Sequence, residues 1–422
     1  MKKNSANNAS VRAAAIAPLF VACALTTGAS GVFSPGMIDP AGAGMDPALL
    51  ARIPARMKSY VNGGTAAGFV TIVVRHGHVA SLQAVGYQDL EGKVPMRTDS
   101  IFHIMSMTKS FTAAGVMILV GEGKVGLLDP VEQYLPEFKG IRLDPCGESH
   151  ANQQCALAEA LVEPARPITV LDLLTHTSGL PNYEPQAPKP FQSLAERVTD
   201  GTHSVLLAEP GTKWIYSQIG YATLGRLIEV CSGKSYEGFL KERLFDPLGM
   251  NDTTFSLPVA KMNRLALLYT LDTKGKLIRA DRQPDPSPKV PAPEGGAMTT
   301  ATDMARFYQM LMNKGALNGK RILSEAAVRA MTTNQTGDMK DVEFSPGLGM
   351  GLSFGVIKDQ AGTFRYQSIG AFSKGGAYRT YGWGDPVKDM FGIIMYQRTN
   401  GGGDIAPETN AFVVLANAAV VR

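Results

Sequence analysis

The 422-residue chain is 45% hydrophobic and 18% charged, a composition that supports a large folded core and excludes global disorder. Its formal net charge is +4, and residues 1–31 hold three basic residues and no acidic one, so the remainder is almost neutral. A near-neutral body without a Lys/Arg cluster argues against nucleic acid as a partner.

The N-terminus has the pattern of an export signal. Basic residues precede a short apolar stretch from Ala13 to Leu25, which small polar residues follow. The stretch is shorter than the roughly 20 residues that a membrane-spanning helix needs. Residues 1–31 are therefore predicted to be a cleaved signal peptide, and the mature protein is expected in the periplasm or outside the cell.

The cysteines leave two alternatives open. Cys23 ends a stretch that loosely resembles a lipoprotein box, so a lipid anchor at Cys23 is the second possibility beside a soluble exported protein. Cys146 and Cys155 flank a short polar stretch and form either a disulfide or two free thiols. Cys231 lies in an apolar helical pattern and is predicted to join the core. No Cys/His spacing indicates a zinc site, and no cofactor is expected.

The domain organisation follows from composition. Residues 32–47 are rich in Gly, Pro and Ala and are predicted to be a linker before a domain of residues 48–422. The order of the predicted elements given below, in which a long helical stretch interrupts the part with the strands, predicts an α/β lobe over about 48–125 and 290–422 and a helical lobe over about 126–289.

Periodicity predicts the elements in chain order. A helix is expected over Ala48–Asn62, and a hairpin from Gly68–Val74 and Val79–Val85, with His76-Gly77-His78 as its turn. The next helices are expected over Ser106–Gly121, Thr169–Leu174, Tyr216–Cys231, Tyr236–Leu244 and Thr302–Lys314. Residues 284–293 carry five prolines and are predicted to be a loop. Strands are expected over Gly349–Ile357, Phe364–Ile369, Gly376–Trp383 and Met390–Arg398, and a final helix over Glu408–Val421. This order predicts an α+β fold in which helices pack on one face of an antiparallel sheet.

The strongest chemical signal is Ser106-Met107-Thr108-Lys109 at the start of a predicted helix. Residues three apart share a helix face, so the Lys109 amine would reach the Ser106 hydroxyl. A serine hydroxyl is a weak nucleophile unless a base takes its proton, and a lysine is such a base only when burial or a nearby cation keeps it neutral. The spacing alone is weak, since an N-capping serine and a surface lysine would also produce it.

Two further motifs follow it in order. Tyr216-Ser217-Gln218 lies at a loop-to-helix junction, where a tyrosine could also be a buried aromatic residue without chemistry. Lys374-Gly375-Gly376-Ala377 is predicted to open a strand whose small residues let the backbone approach a ligand, the alternative being a β-bulge with an exposed lysine.

With these three motifs in order, the chain resembles the family of class C β-lactamases, D-alanyl-D-alanine carboxypeptidases and β-lactamase-like carboxylesterases. The likeness covers about residues 48–420. The stretches Leu173–Leu180, Pro247–Met250 and Thr300–Met304 also agree with it. It implies an antiparallel sheet flanked by N- and C-terminal helices, an all-helical lobe, and a site between them.

The resemblance also implies roles for single residues. Ser106 would form the acyl-enzyme, Lys109 and Tyr216 would move protons, and the backbone N–H groups of Ser106 and Ala377 would form an oxyanion hole. The substrate would be bound by four residues, Gln218, Lys374, Gly375 and Gly376. Whether Lys109 or Tyr216 is the primary base stays open.

Departures from the family pattern bear on the substrate. Gln218 replaces the usual Asn, and Gly375 replaces the Thr whose hydroxyl helps to hold a substrate carboxylate in the lactamases. Loss of that hydroxyl favours an uncharged ester, although Lys374 retains a positive charge. An exported carboxylesterase is therefore favoured. The alternatives are a β-lactamase or D-Ala-D-Ala carboxypeptidase, and a non-catalytic ligand-binding homologue. The expected partner is a small ester, lactam or short peptide, and the sequence indicates no oligomeric state.

Other candidate residues are less informative. His76 and His78 are interpreted as hairpin residues rather than metal ligands, because no carboxylate lies near them in sequence. His176 is interpreted as a turn residue, because no serine lies in the G-x-S-x-G pattern of a Ser-His-Asp hydrolase. Tyr183, Trp214 and Trp383 are further candidates for lining the pocket.

Overall fold

The computed structural model describes residue 1 and residues 33–147, 161–182, 191–360, 366–399 and 406–421. The chain divides into Met1–Val32 and Phe33–Arg422, and the fold below is that of the second unit. Cys23 and, apart from Met1, the predicted signal peptide lie outside the described residues. Of the helices that the structure describes, none combines the length and the apolar character needed to cross a membrane.

An antiparallel sheet is the framework of this unit. The strands are β1 (Gly68–Arg75), β2 (His78–Asp89), β3 (Val94–Pro95), β4 (Phe102–His103), β5 (Tyr269–Leu271), β6 (Leu277–Arg279), β7 (Met298–Thr299), β8 (Ala316–Leu317), β9 (Lys320–Arg321), β10 (Leu348–Met350), β11 (Gly355–Ile357), β12 (Phe372–Gly375), β13 (Tyr381–Asp385) and β14 (Met390–Met395). In the described chain, eight of them form the main sheet in the order β10-β11-β12-β13-β14-β1-β2-β3. Every pairing in it is antiparallel.

The helices are α1 (Pro47–Leu50), α2 (Arg52–Asn62), α3 (Thr108–Gly121), α4 (Val170–Thr175), α5 (Leu194–Gly201), α6 (Gln218–Ser232), α7 (Tyr236–Leu240), α8 (Asp246–Leu248), α9 (Ala301–Met312), α10 (Glu325–Thr332) and α11 (Pro407–Ala418). Helices α4 to α8 follow α3. Helix α6 lies at the centre of this part and contacts α3, α4, α5 and α7, whereas α8 contacts α9. The predicted loop of residues 284–293 contains neither helix nor strand and returns the chain to the sheet.

Both faces of the sheet are buried because its central strands are apolar on both sides. Successive strand residues point to opposite faces. Val73 and Ile394 pack with the terminal helices α2 and α11, whereas Ile72 and Ile393 share a core with α9 and α3. The prediction of helices on one face is therefore wrong, since α9 covers the second face as the terminal helices cover the first.

Tight turns shorten several predicted strands. The predicted strand over 349–357 is a hairpin of β10 and β11, because the chain bends at Ser353, whose φ is 88°. The predicted strand over 364–369 is wrong where the structure describes it, since residues 366–369 form no strand. The β1–β2 hairpin is confirmed, with His76 and Gly77 at positive φ in its turn.

The segment predicted to be a linker is packed against the domain. Ala43 is fully buried and Met45 is 3% exposed, and both join the core under the terminal helices. Apolar side chains and the N-cap of α1 by Asp46 hold this segment against the domain, so residues 33–46 are part of the folded unit.

The cysteines have different states. Cys146 forms a disulfide, whereas Cys155 lies outside the described residues. Cys231 is a free, half-buried thiol at the edge of the larger core.

Candidate active site

Ser106 lies in a strained turn that leads into helix α3. The turn Met105–Met107 is a 3₁₀ helix, and Met105 has a φ of 46°, which is uncommon for a residue with a side chain. Helix α3 begins at Thr108 rather than at Ser106 as predicted. The 3₁₀ turn continues directly into α3, so Ser106 and Lys109 still lie on one side of it.

The side chains of Ser106, Lys109 and Tyr216 converge. The Ser106 Oγ lies 2.7 Å from the Tyr216 Oη, and the Lys109 Nζ lies 3.3 Å from the same Oγ. The Lys109 Nζ also donates to the backbone oxygen of Glu294 at 2.7 Å. The structure thus brings the three sequence-predicted reactive residues within hydrogen-bonding distance of one another.

The amine of Lys109 is buried away from solvent. Its side chain is fully buried, and its Nζ lies 4.8 Å from the ring centre of Tyr216 and 5.5 Å from that of Tyr221. Burial lowers the pKa of Lys109, and the positive charge of Lys374 lowers it further, while Tyr216 and Glu294 oppose the shift. A neutral lysine has a lone pair that can accept a proton from a neighbouring hydroxyl, so the lowered pKa of Lys109 suits it to act as a base.

Tyr216 is positioned by a buried histidine that the sequence reasoning treated as a turn residue. His176 ends helix α4 in the left-handed conformation, and its ring centre lies 4.6 Å from that of Tyr216. Its Nδ1 accepts a hydrogen bond from the Ser217 N–H at 3.1 Å, next to Tyr216 in the chain. Burial, together with Lys374 and Lys109, holds the pKa of His176 far below its usual value, so the ring stays neutral.

The Lys374–Ala377 segment closes a strand rather than opening one. Strand β12 ends at Gly375, and the Gly376 N–H donates to the Thr380 oxygen at 2.8 Å, which closes a turn before β13. The predicted strand over 376–383 is therefore wrong in its first half. Strand β12 contacts the 3₁₀ turn that carries Ser106, so its end still reaches the site.

Gly376 is the point at which this strand end contacts the segment leading to the 3₁₀ turn of Ser106. A Cβ at residue 376 would overlap the Ile104 oxygen, two residues before Ser106, and would lie 2.5 Å from the Thr380 Oγ1. The Thr380 Oγ1 itself donates to the Ile104 oxygen at 3.1 Å. Ala377 follows as an exposed residue of this turn, one position after the contact with Ile104, and its part in an oxyanion hole stays a prediction.

Lys374 is buried and ion-paired inside the protein. Its side chain is 2% exposed, and its Nζ lies 2.6 Å from the Glu343 Oε1. The same Nζ lies 5.6 Å from the Tyr216 ring centre, so this charge borders the reactive residues. Glu343 was missed because no local pattern links it to a strand 31 residues later in the chain.

The remaining predicted positions are less closely tied to the reactive atoms. Gln218 is the half-buried first residue of α6, and its side chain makes no hydrogen bond to Ser106, Lys109 or Tyr216 within the described residues. Trp214 lies near Tyr216, with ring centres 6.1 Å apart. Trp383 is wrong as a pocket residue, since it is fully buried on the sheet face covered by the terminal helices. Tyr183 lies outside the described residues.

Glu294 is a second residue that sequence reasoning missed. It follows the proline-rich loop, and the loop is fixed to α3 because the Thr112 Oγ1 donates to the Pro293 oxygen at 2.6 Å. The buried Glu294 side chain forms an ion pair with the partly buried Arg197, while the Glu294 backbone oxygen accepts a hydrogen bond from Lys109. The five prolines could have indicated this contact from the sequence, because they restrict the backbone before Glu294 and so help to fix the position of its carbonyl group.

The close approach at Gly376 gives a test of this geometry. Gly376→Ala is expected to lower the free energy of unfolding by about 1–3 kcal/mol, because the added methyl overlaps the Ile104 oxygen. Gly121→Ala is the matched control: a Cβ there meets nothing within 4 Å at the end of α3, so stability should stay equal or rise. Denaturant unfolding measures both, and equal stability of the two variants would contradict the packing described.

Comparisons with known proteins identify the family. The model of the Beta-lactamase family matches residues 53–416. Protein Rv1367c of Mycobacterium tuberculosis is 31% identical over 366 residues, which cover 81% of this chain and 88% of that protein. Esterase EstB of Burkholderia gladioli is 28% identical over 387 residues, with coverages of 81% and 88%.

A solved structure supports the fold. The structure described as "EstCE1, a hydrolase with promiscuous acyltransferase activity" has a TM-score of 0.74 at 23% identity and covers 90% of this chain and 100% of its own. At that identity the likeness concerns the fold alone, and it confirms the α+β class predicted from the sequence. Because the family model spans most of the chain, including Ser106, Lys109 and Tyr216, this protein belongs to the β-lactamase family of serine hydrolases, which includes esterases, penicillin-binding proteins and β-lactamases.

Proposed function

We propose that this protein is a carboxylesterase that works through an acyl-enzyme on Ser106. The observation that carries the proposal is the buried Lys109 amine within hydrogen-bonding distance of Ser106, which Tyr216 also contacts. As the Ser106 hydroxyl attacks, its proton can pass either to a neutral Lys109 amine or to the Tyr216 oxygen.

The proposed reaction has two halves. In the first, the Ser106 Oγ attacks the ester carbonyl as Lys109 or Tyr216 takes its proton, and the N–H groups of Ser106 and Ala377 stabilise the oxyanion. The C–O bond to the alcohol then breaks, and the alcohol leaves with the proton. In the second, water attacks the acyl carbonyl, the same groups take its proton, and Ser106 recovers a proton as the free acid leaves.

An uncharged ester is the substrate that the site favours. Gly375 brings no hydroxyl to hold a carboxylate, and this position lies next to Lys374 at the end of β12. Esterase EstB, similar over most of the chain, carries the corresponding activity in its name. These points support an ester over a penicillin or a D-alanine terminus.

A β-lactamase or D-Ala-D-Ala carboxypeptidase is the second candidate. The observation in its favour is the Lys374 charge, which lies 5.6 Å from the Tyr216 ring centre, where it would attract a substrate carboxylate. A chromogenic cephalosporin and a fluorescent penicillin separate the candidates. Turnover of the cephalosporin or stable labelling by the penicillin would favour the second candidate. The absence of both would favour the esterase.

Replacing the nucleophile tests the proposal and also the alternative of a non-catalytic binding protein. Ser106→Ala is expected to reduce p-nitrophenyl butyrate hydrolysis by about 10³-fold or more, because the acylated atom is gone. The matched control is Ser110→Ala, one helical turn further along α3, whose hydroxyl donates to the Met107 oxygen and should not react. Wild-type rates from Ser106→Ala, or no fluorophosphonate labelling of the wild type, would refute the proposal.

The pH dependence tests Lys109 as the base. A lysine whose pKa is lowered by burial is protonated and inactive below that pKa, so kcat/KM should rise with pH through it. The Lys374 charge also lowers the Lys109 pKa, so removing it should move the acid limb of the profile to higher pH. The double variant Lys374→Met/Glu343→Gln removes this charge without leaving a buried carboxylate unpaired.

A remote charge serves as the control for that shift. Lys320→Met removes an exposed cation on β9, and its pH profile should match that of the wild type. If the acid limb of the double variant stays in place or moves to lower pH, Lys109 is not the group that titrates.

We also propose that the chain is exported after cleavage near residue 31, from the basic start and the short apolar stretch that follows it. Expression of the full gene in a bacterial host followed by intact mass spectrometry of the periplasmic and membrane fractions tests this. A periplasmic protein that has lost about the first 31 residues is expected. A lipid-modified product beginning at Cys23 would establish an anchor instead, and an uncleaved cytoplasmic chain would refute export.

A further inference from the structure

The Lys374 ammonium borders the reactive residues but already has a partner. The Lys374 side chain is 2% exposed, and its Nζ lies 2.6 Å from a carboxylate oxygen of Glu343, whose side chain is only 12% exposed. A charge-assisted hydrogen bond of this length between two poorly solvated groups is strong, and each partner would be costly to leave alone. Any anion that binds Lys374 must therefore compete with a carboxylate that the chain itself supplies.

The backbone around Glu343 holds that carboxylate in place. Glu343 and Asp341 have φ angles of 51° and 57°, a conformation that residues with side chains rarely adopt. Between them, Val342 is fully buried in a cluster with Trp214 and Met350, and Tyr216 packs against the same cluster. The packing of Val342 thus anchors the strained segment beside the reactive tyrosine and directs the next residue to Lys374.

We propose that Glu343 is a specificity-determining residue, which occupies the place of a substrate carboxylate beside Lys374 and so selects acyl donors without a negative charge. The inference rests on the proposed esterase function and names the substrate class for that site. A neutral acyl group leaves the ion pair intact. An acyl group that ends in a carboxylate meets the negative charge of Glu343 and must displace it from a buried partner, which discriminates against that substrate.

A purely structural ion pair makes a different prediction. If the pair serves stability alone, its removal should weaken the fold and change the turnover of charged and neutral substrates by the same factor. If Glu343 sets specificity, its removal should change the ratio between them. The ratio of two kcat/KM values is therefore the readout, since it is independent of the fraction of protein that is folded.

Two matched esters supply that ratio. p-Nitrophenyl valerate and the mono-p-nitrophenyl ester of glutaric acid share a five-carbon acyl chain and differ at its end, a methyl against a carboxylate. In Glu343→Gln, which removes the negative charge next to Lys374, the kcat/KM ratio of charged to neutral ester is expected to rise at least about tenfold over the wild type. In Lys374→Gln/Glu343→Gln most of this gain should disappear, because the attracting cation is gone.

Two further variants complete the design. Glu343→Asn is a second neutral replacement that suits the positive φ of this residue, for use if Glu343→Gln folds poorly. Glu325→Gln removes an exposed carboxylate that pairs with Lys314 on the surface, and it should keep the wild-type ratio. An unchanged ratio in the Glu343 variants, with valerate still hydrolysed, would overturn this inference alone. Hydrolysis of neither ester by the wild type would overturn the proposed function as well.

Discussion

The site depends on one buried amine. Taking a lysine out of water is costly, and here the cost is offset by the Glu294 carbonyl, by the oxygen of Ser106 and by the faces of two tyrosine rings. Among the described residues these contacts hold the amine in place without an ion pair to a carboxylate, and the smaller effects of Tyr216 and Glu294, which raise the pKa of Lys109, do not outweigh burial. Burial then lowers the pKa of Lys109, and the structure can use an ordinary lysine as a base.

The rest of the fold converges on that amine from separate parts of the chain. The 3₁₀ turn before α3 supplies Ser106, and the first turn of α3 supplies Lys109. The junction before α6 supplies Tyr216, and the proline-rich loop ends at the carbonyl of Glu294. The end of β12 packs against the nucleophile turn through Gly376. The two cations of the site differ in what surrounds them: Lys109 faces uncharged oxygens, whereas Lys374 has a carboxylate partner. This difference underlies the separate roles proposed for them, proton transfer by Lys109 and selection of the substrate by the Lys374–Glu343 pair.

The contacts of this site that depend on local spacing along the chain could be predicted from the sequence. The pairing of Ser106 with Lys109 follows from a three-residue interval, and it survives although α3 begins two residues later than predicted. The Lys374–Glu343 pair and the His176–Tyr216 contact could not be predicted, because they join segments whose approach is decided by tertiary packing. The predicted start of the strand over 376–383 was wrong for a related reason. A hydrogen bond from the Gly376 N–H to the Thr380 oxygen closes a turn there, and hydrophobic alternation does not reveal such a turn.

The most direct test of the account is the protonation state of Lys109 itself. Lysine labelled with ¹³C at Cε reports its own ionisation by NMR, and the Lys109 signal is identified by its absence from Lys109→Met. In the Ser106→Ala protein, which cannot turn over substrate, we expect this signal to titrate well below the exposed lysines of the same molecule. A Lys109 signal that titrates together with the exposed lysines would contradict the claim that burial makes this residue a base.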